Sequence, residues 1–196
     1  MASLGRCGTT LLYYAISAKV RNKRMHVSAL DEASFDNTLI GTHGYPLKTA
    51  PAQPTKAIFL FGDIVDTVLS TTASINSWGR RHYAHTQTSQ AFRPNEDLYT
   101  ADLLELERLF DAWYRPQVVD LLTLRYETLY DPDSLERLEE FLGVRVRLPP
   151  YRKRTTDAAS HPAAAEIRRV YQDLDAKIKA AADARIWPAA ADHRSR

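Results

Sequence analysis

A short glycine-rich stretch near the start of the chain, Leu4 to Thr10, has the residue types of an anion-binding loop. It reads L-G-R-C-G-T-T and runs into an apolar segment of helical character. Glycines let the backbone approach a ligand closely, and the free N–H groups at a helix N-terminus attract anions. Arg6 adds a forked cation, while Thr9 and Thr10 add hydroxyl donors. The stretch therefore predicts a site for a phosphate-like group, and the alternative is a plain strand–turn–helix.

The elements that must position this loop alternate between strand and helix. Continuous apolar runs are typical of buried parallel strands, and apolar residues spaced near 3.6 predict helices. We expect helices over 9–20 (closed by the basic run 21–24), 64–78, about 103–113, 133–143 and 160–186, and strands over 38–40, 57–61 and 121–126. Asp133 is expected to begin its helix as a cap, and Gly143 to end it as a left-handed residue. This alternation predicts a single α/β domain over residues 1–196, with a mainly parallel sheet flanked by helices. Ligands of such sheets bind at the carboxyl ends of the strands.

Composition excludes several other classes of protein. The formal net charge of the 196 residues is +2, which makes no electrostatic case for binding nucleic acid. The single cysteine, Cys7, rules out an intramolecular disulfide framework and favours a reducing compartment. No apolar run approaches the ~20 residues that a membrane helix needs. We therefore expect a cytoplasmic protein with no membrane segment.

The order of residues in the glycine-rich loop separates two kinds of phosphate site. A nucleotide-triphosphatase P-loop places a lysine directly after its last glycine, whereas here Thr9 follows Gly8 and the cation, Arg6, comes earlier. This order resembles the 5′-phosphosulfate loop of sulfotransferases, [RK]-S-G-T-T. Three further stretches resemble that family in its own order, and the resemblance covers about residues 3–157. They are G-T-H-G-Y-P at 41–46 (K-T-H-x-P), the strand–loop–helix at 57–70, and L-T-L-R-Y-E-T-L-Y-D-P-D-S-L-E-R-L-E-E-F-L-G-V at 121–144.

The resemblance implies a P-loop-NTPase-like sulfotransferase fold and a defined reaction. Such an enzyme moves a sulfuryl group in line from 3′-phosphoadenosine-5′-phosphosulfate (PAPS) to a hydroxyl or amine of a small-molecule or glycan acceptor, leaving PAP. It needs no metal, because side-chain cations and backbone donors neutralise the leaving group. The implied 5′-phosphate loop is Arg6, Cys7, Gly8, Thr9 and Thr10, with Arg6 also on the bridging oxygen.

His43 is the implied catalytic base, since an imidazole with a pKa near ~6.5 accepts a proton at neutral pH. Taken alone, a loop histidine bonded to backbone explains this residue as well. Some branches of the family use a carboxylate instead, which leaves Asp31, Glu32 and Asp36 open.

The implied 3′-phosphate site departs from the family pattern. Ser70 matches its serine, one helical turn beyond Asp66, but Gly62 stands where the family has arginine. The expected replacements are Arg152, Lys153 and Arg154, for which a solvated basic run is the alternative. Tyr126 matches a tyrosine that lies by the adenine, with core packing at a strand end as the alternative.

Two other functions and two smaller features complete the expectations. Gly41 and Gly62 favour, as an alternative, a non-catalytic descendant that binds a nucleotide or a partner protein; a P-loop nucleotide kinase is disfavoured by the missing lysine. Only residues 1–4 precede the loop, so its supporting strand is expected to be very short or to begin before this sequence. His82 and His85 are interpreted as part of a polar loop, not as metal ligands.

Overall fold

The computed structural model of the chain describes residues 1–5, 7–19, 22–27, 38–42, 44–78, 98–151 and 158–190, with only the backbone described for 22–27 and 75–78. Within these residues the chain forms an α/β domain of six strands and six helices. The strands are β1 (Ala2–Ser3), β2 (Asn22–Val27), β3 (Thr38–Thr42), β4 (Lys56–Phe61), β5 (Asp120–Arg125) and β6 (Ala184–Trp187). The helices are α1 (Thr9–Ser17), α2 (Ile64–Trp78), α3 (Leu106–Trp113), α4 (Pro132–Leu142), α5 (Ala164–Val170) and α6 (Gln172–Ala180).

The strands form one sheet in the order β2-β3-β1-β4-β5-β6. The first five are parallel to one another, and β6 pairs with β5 in the antiparallel direction. The expected mainly parallel sheet is therefore confirmed. The strand before the glycine-rich loop has two residues, yet it lies in the middle of the sheet, where Ser3 is in register with Leu60.

The apolar run of β4 forms the centre of the core. Residues 57–61 are all buried, as a strand covered on both faces requires. The ring of Phe59 stacks on Trp113 of α3, with centroids 5.7 Å apart and 5° between the planes. Phe61 meets Phe110 edge to face at 5.6 Å. These contacts hold α3 against the strand whose carboxyl end carries the β4–α2 loop.

The expectation of one helix over residues 9–20 is wrong at its end. Helix α1 stops at Ser17, and Asn22–Val27, which includes part of the basic run 21–24, forms the edge strand β2. Charged residues on an edge strand are a common protection against pairing with other chains. A basic run such as 21–24 can therefore belong to an edge strand as well as to a helix end or a loop.

The expectation of a single last helix over 160–186 is also wrong in part. It is two helices separated at Tyr171, where the backbone leaves helical geometry (φ −104°, ψ 27°), and Ile186 lies in β6. Arg125 stabilises the end of α6 by donating to the carbonyls of Ile178 and Ala181 at 2.7 and 2.8 Å. The chain then returns to cover the edge of β5.

Helix α4 begins earlier than expected and ends as expected. Its N-cap is Asp131 with Pro132 in the first turn, so Asp133 is not the cap. Gly143 has a left-handed conformation (φ 71°) immediately after the helix, which confirms its predicted role. None of the described helices is both long and apolar enough to cross a membrane.

Candidate functional site

Four strand ends lie side by side at one edge of the sheet. The neighbours β3, β1, β4 and β5 run parallel, so their carboxyl ends, at Thr42, Ser3, Phe61 and Arg125, meet at the same edge. Each of the four stretches that resemble sulfotransferase motifs contains one of these strand ends or follows it directly. Segments distant in the sequence are thereby brought together at the position where ligands of such sheets bind.

The loop after β1 is held against β4 and α2. The amide of Leu4 donates to the carbonyl of Leu60 at 3.2 Å, and Gly5 is left-handed with φ 95°. Cys7 is fully buried, and its Sγ lies 3.0 Å from the carbonyl oxygen of Gly5 and 3.3 Å from Oγ1 of Thr67 on α2. The Cys7 side chain therefore anchors the loop, and any contact of this residue with an anion falls to its backbone.

The first turn of α1 has the character of an anion site. Its N-cap is Gly8, which has no side chain to cap the helix, and the first turn contains no acidic residue. Thr10 is exposed, whereas Oγ1 of Thr9 is buried without a hydrogen-bond partner in the part of the chain that the structure describes. A buried hydroxyl without a partner and an uncapped helix N-terminus both favour a bound acceptor group.

Tyr126 directly follows β5, and its ring packs against the glycine-rich loop. The backbone of Gly8 is left-handed (φ 75°), and a Cβ at this position would overlap the ring of Tyr126. The Cβ of Tyr126 lies against Gly62, 3.4 Å from where a side chain there would begin. Tyr126 thus contacts the ends of three strands, and the lack of a side chain at Gly8 is what allows its ring to approach.

The carboxylate of Glu127 lies beside Gly62. Its Oε1 would be 2.8 Å from a Cβ at position 62, and it accepts the amide of Asp63 at 2.9 Å. A carboxylate therefore occupies the place where the sulfotransferase pattern has an arginine side chain. Together with Asp63 and Asp66, Glu127 makes this corner of the site acidic.

Asp63 caps helix α2 and forms an ion pair with Arg168 from the C-terminal part of the chain. Its Oδ1 accepts the amides of Val65 and Asp66 at 2.8 and 3.1 Å, while its Oδ2 lies 3.2 Å from Nη2 of Arg168. Arg168 also pairs with the mostly buried Asp175 at 3.0 Å. Burial acts to lower the pKa of Arg168, but the two carboxylates outweigh it and raise that pKa. The charge of Arg168 is thus matched by two acids.

The chain is held on both sides of position 43. Oγ1 of Thr42 accepts the amide of Gly44 at 2.9 Å, and the carbonyl of Gly44 accepts Nε1 of the buried Trp113 at 3.0 Å. The hydroxyl of Tyr45 donates to Oε2 of Glu105 at 3.0 Å. Glu105 itself is left-handed with φ 50°, among the described residues the only such conformation outside glycine. No spacing in the sequence points to Glu105 or Trp113 in this role.

Several expected site residues lie outside the described part of the chain. They are Arg6, His43, Asp31, Glu32, Asp36, Arg152, Lys153 and Arg154. His82 and His85, interpreted above as part of a polar loop, also lie outside it. Asp66 and Ser70 are half-buried on α2, one turn apart as expected. Within the described ranges, no group of three or more His, Cys, Asp or Glu side chains is placed to hold a metal ion.

Comparison with known proteins adds no relative. No protein-family model, curated protein or solved structure matches this chain. The fold places the chain in the α/β class, with a mostly parallel sheet.

Proposed function

We propose that the chain is a PAPS-dependent sulfotransferase that transfers a sulfuryl group to a hydroxyl or amine of a small-molecule or glycan acceptor. The contact between Gly8 and Tyr126 carries this proposal. It joins the glycine-rich loop to the R-Y-E segment, which belongs to the longest and most specific of the four resemblances. Each comes from a different strand end, and a nucleotide donor has to bridge them.

The anion loop fits the sulfated end of the donor. The N-terminus of α1 is free of acidic side chains in its first turn, so its amides can receive a phosphate, with the buried hydroxyl of Thr9 as a further hydrogen-bonding group. In the proposed mechanism, Arg6 neutralises the charge that grows on the leaving phosphate. His43 takes the proton of the attacking acceptor, which the loop and the base hold in line with the sulfuryl group.

A thermal-shift comparison of ligands tests the nucleotide class. PAP is expected to raise the melting temperature, because it binds the folded chain and not the unfolded one. ATP with Mg²⁺ is expected to leave it unchanged. Stabilisation by ATP with Mg²⁺ and not by PAP would replace the sulfotransferase with a nucleotide kinase.

Transfer of labelled sulfate from PAPS tests the reaction itself. The label is offered to phenol, amine and glycan acceptors together, and the wild-type chain is expected to transfer it. Arg6→Ala and His43→Ala should each abolish transfer while the far-ultraviolet circular dichroism is unchanged. Normal turnover by His43→Ala would assign the base to another group, with Asp31, Glu32 and Asp36 as the next candidates.

A non-catalytic descendant of the sulfotransferase fold is the second candidate, and the acidic corner favours it. Asp63, Asp66 and Glu127 surround the place of the expected 3′-phosphate, and the described cation there, Arg168, is already paired with two carboxylates. Binding of PAP without transfer to any acceptor would support this candidate over the enzyme.

A further inference from the structure

Helix α3 holds two residues of segment 41–46, the segment that carries the proposed base. The indole Nε1 of Trp113 donates to the carbonyl of Gly44 at 3.0 Å, and the hydroxyl of Tyr45 donates to Oε2 of Glu105 at 3.0 Å. Trp113 is the last residue of α3, and Glu105 is its N-cap. Both ends of one helix therefore bind neighbouring residues of this segment.

Contacts with β4 and α6 fix α3 in place. The indole of Trp113 stacks on the ring of Phe59 in β4. Nζ of Lys177 on α6 lies 2.7 Å from Oε1 of Glu107 and 2.6 Å from Oδ2 of Asp111, both on α3. Helix α3 is therefore tied to the core of the sheet and to the C-terminal helices, and it provides a rigid support for segment 41–46.

The backbone of Glu105 is strained. Its φ of 50° and ψ of 42° are left-handed, a conformation that costs energy in residues with a Cβ. An N-cap side chain usually accepts amides of the first helical turn, but here the carboxylate of Asp102 accepts those of Leu106 and Glu107 at 2.9 and 3.1 Å. Glu105 makes no capping bond, and its carboxylate contacts Tyr45 instead. Strain of this kind is concentrated at functional sites, so an outlier beside this segment indicates a functional role.

Tyr45 is held by its hydroxyl and by its ring. The guanidinium of Arg108 lies over the ring of Tyr45, 5.3 Å from its centroid, and Nη1 of Arg108 is 3.0 Å from the same Oε2 of Glu105. Burial raises the pKa of Tyr45, and the hydrogen bond to Glu105 raises it further. The phenol therefore keeps its proton and remains a donor to the carboxylate.

We propose that Glu105 is a positioning residue of the sulfuryl transfer, acting through Tyr45 on the segment that carries His43. This inference rests on the proposed function, because it takes His43 as the base. A base has to meet the attacking group within a narrow range of distance and angle, and a misplacement of about 1 Å costs a large part of the rate. The strained conformation is retained because it brings the carboxylate to Tyr45.

Steady-state transfer of labelled sulfate, measured against the concentration of PAPS with an acceptor that the wild type uses, tests this role. Tyr45→Phe removes one hydroxyl and keeps the ring, so kcat is expected to fall about tenfold. The KM for PAPS should stay within about twofold of the wild type, because the anion loop is unchanged.

Two substitutions of Glu105 separate the hydrogen bond from the strain. Glu105→Gln retains an acceptor for the hydroxyl of Tyr45 and should keep a kcat close to that of the wild type. Glu105→Gly relieves the strain but removes the acceptor, so it should be as slow as Tyr45→Phe. A glutamine variant as slow as the glycine variant would overturn the inference, because the hydrogen bond to Tyr45 would then not be what matters.

Tyr114→Phe provides the matched control. Tyr114 follows α3 at the opposite end from Glu105, and its hydroxyl also forms a hydrogen bond, accepting the amide of Ala182 at 2.9 Å. Melting curves should show a similar loss of stability in Tyr114→Phe and Tyr45→Phe, since each loses one hydrogen bond. Only Tyr45→Phe should lose turnover.

The remaining outcomes separate this inference from the proposed function. If the wild type transfers sulfate and Tyr45→Phe turns over normally, Glu105 does not position the base and the proposed function stands. An equal loss of kcat in Tyr45→Phe and Tyr114→Phe would also overturn the inference, as would a raised KM for PAPS with an unchanged kcat. If the wild type transfers no sulfate to any acceptor, the proposed function fails and the inference fails with it.

Discussion

The ring of Tyr126 lies directly over the backbone of Gly8, where a Cβ would overlap it. Gly8 also has a left-handed backbone and is the N-cap of α1. Gly8 therefore meets two requirements at once. Its backbone has to be left-handed, and it has to leave room for the ring of Tyr126, which follows a strand two positions away in the sheet. Only glycine satisfies both.

Replacement of Gly8 by alanine, compared with the same change at Gly143, separates the two requirements. Gly8→Ala is expected to lower the free energy of unfolding by roughly 2–3 kcal/mol, because it adds overlap with a packed ring to the left-handed strain. Gly143→Ala is the control, since Gly143 is left-handed with nothing within 4 Å of its Cβ position. It should lose only about 1 kcal/mol. Urea denaturation gives both values.

The double variant completes this test. In a Tyr126→Ala background, Gly8→Ala should cost no more than Gly143→Ala does, because the overlapping ring is gone. A cost that stays the same in both backgrounds would contradict the contact between Gly8 and Tyr126.

Exchange of charge at the acidic corner should tighten PAP binding. Gly62→Arg with Glu127→Ala removes the carboxylate that occupies this place and supplies the cation of the sulfotransferase pattern. We expect about tenfold higher affinity for PAP by calorimetry, from one charge-assisted contact to the 3′-phosphate. Gly62→Arg alone should gain less, because Glu127 remains in its way. Unchanged affinity in the double variant would place the 3′-phosphate away from this corner.

The strained backbone at Glu105 predicts an unusual order of stabilities. Glu105→Ala and Glu105→Gly both remove the carboxylate that binds Tyr45 and Arg108. The glycine variant should nevertheless be more stable by about 1 kcal/mol, since it tolerates a φ of 50° without strain. Helix propensity would favour alanine, so chemical denaturation that ranks alanine first would show that residue 105 is not left-handed.

Asp102 links stability to pH through burial. Burial raises the pKa of its carboxyl above the ordinary 3.8, although the amides of Leu106 and Glu107 partly oppose this. The folded chain then holds this proton more tightly than the unfolded chain. Unfolding free energy should therefore fall as pH rises from about 3.8 through the raised value.

Asp102→Asn isolates this contribution. The difference in unfolding free energy between wild type and variant should decline across that pH interval and be flat above it. An increase across the same interval would mean that the pKa of Asp102 is lowered in the folded chain.

Local patterns in the sequence were enough for the elements with a strong apolar signal. The run at residues 57–61 predicted β4, and helix α2 has the expected bounds because its apolar face repeats at helical spacing. Gly143 was also predictable, since a helix followed by glycine needs no distant contact to end there. The same reasoning failed at 22–27 and 184–187, where short polar or mixed segments become strands only by pairing with β3 and β5.

The sequence by itself determined the α/β class, the residue types of the loop at 4–10 and the positions of the glycines. Tertiary structure decided what those glycines are for. Position 8 is glycine because the ring of Tyr126 lies where a Cβ would be, and the carboxylate of Glu127 lies beside Gly62. Both partners directly follow β5, far along the chain from these glycines. Backbone conformation and apolar periodicity are local properties, so a sequence records them directly. Close approach between strand ends depends on the order of strands in the sheet, which the packing of the whole chain sets.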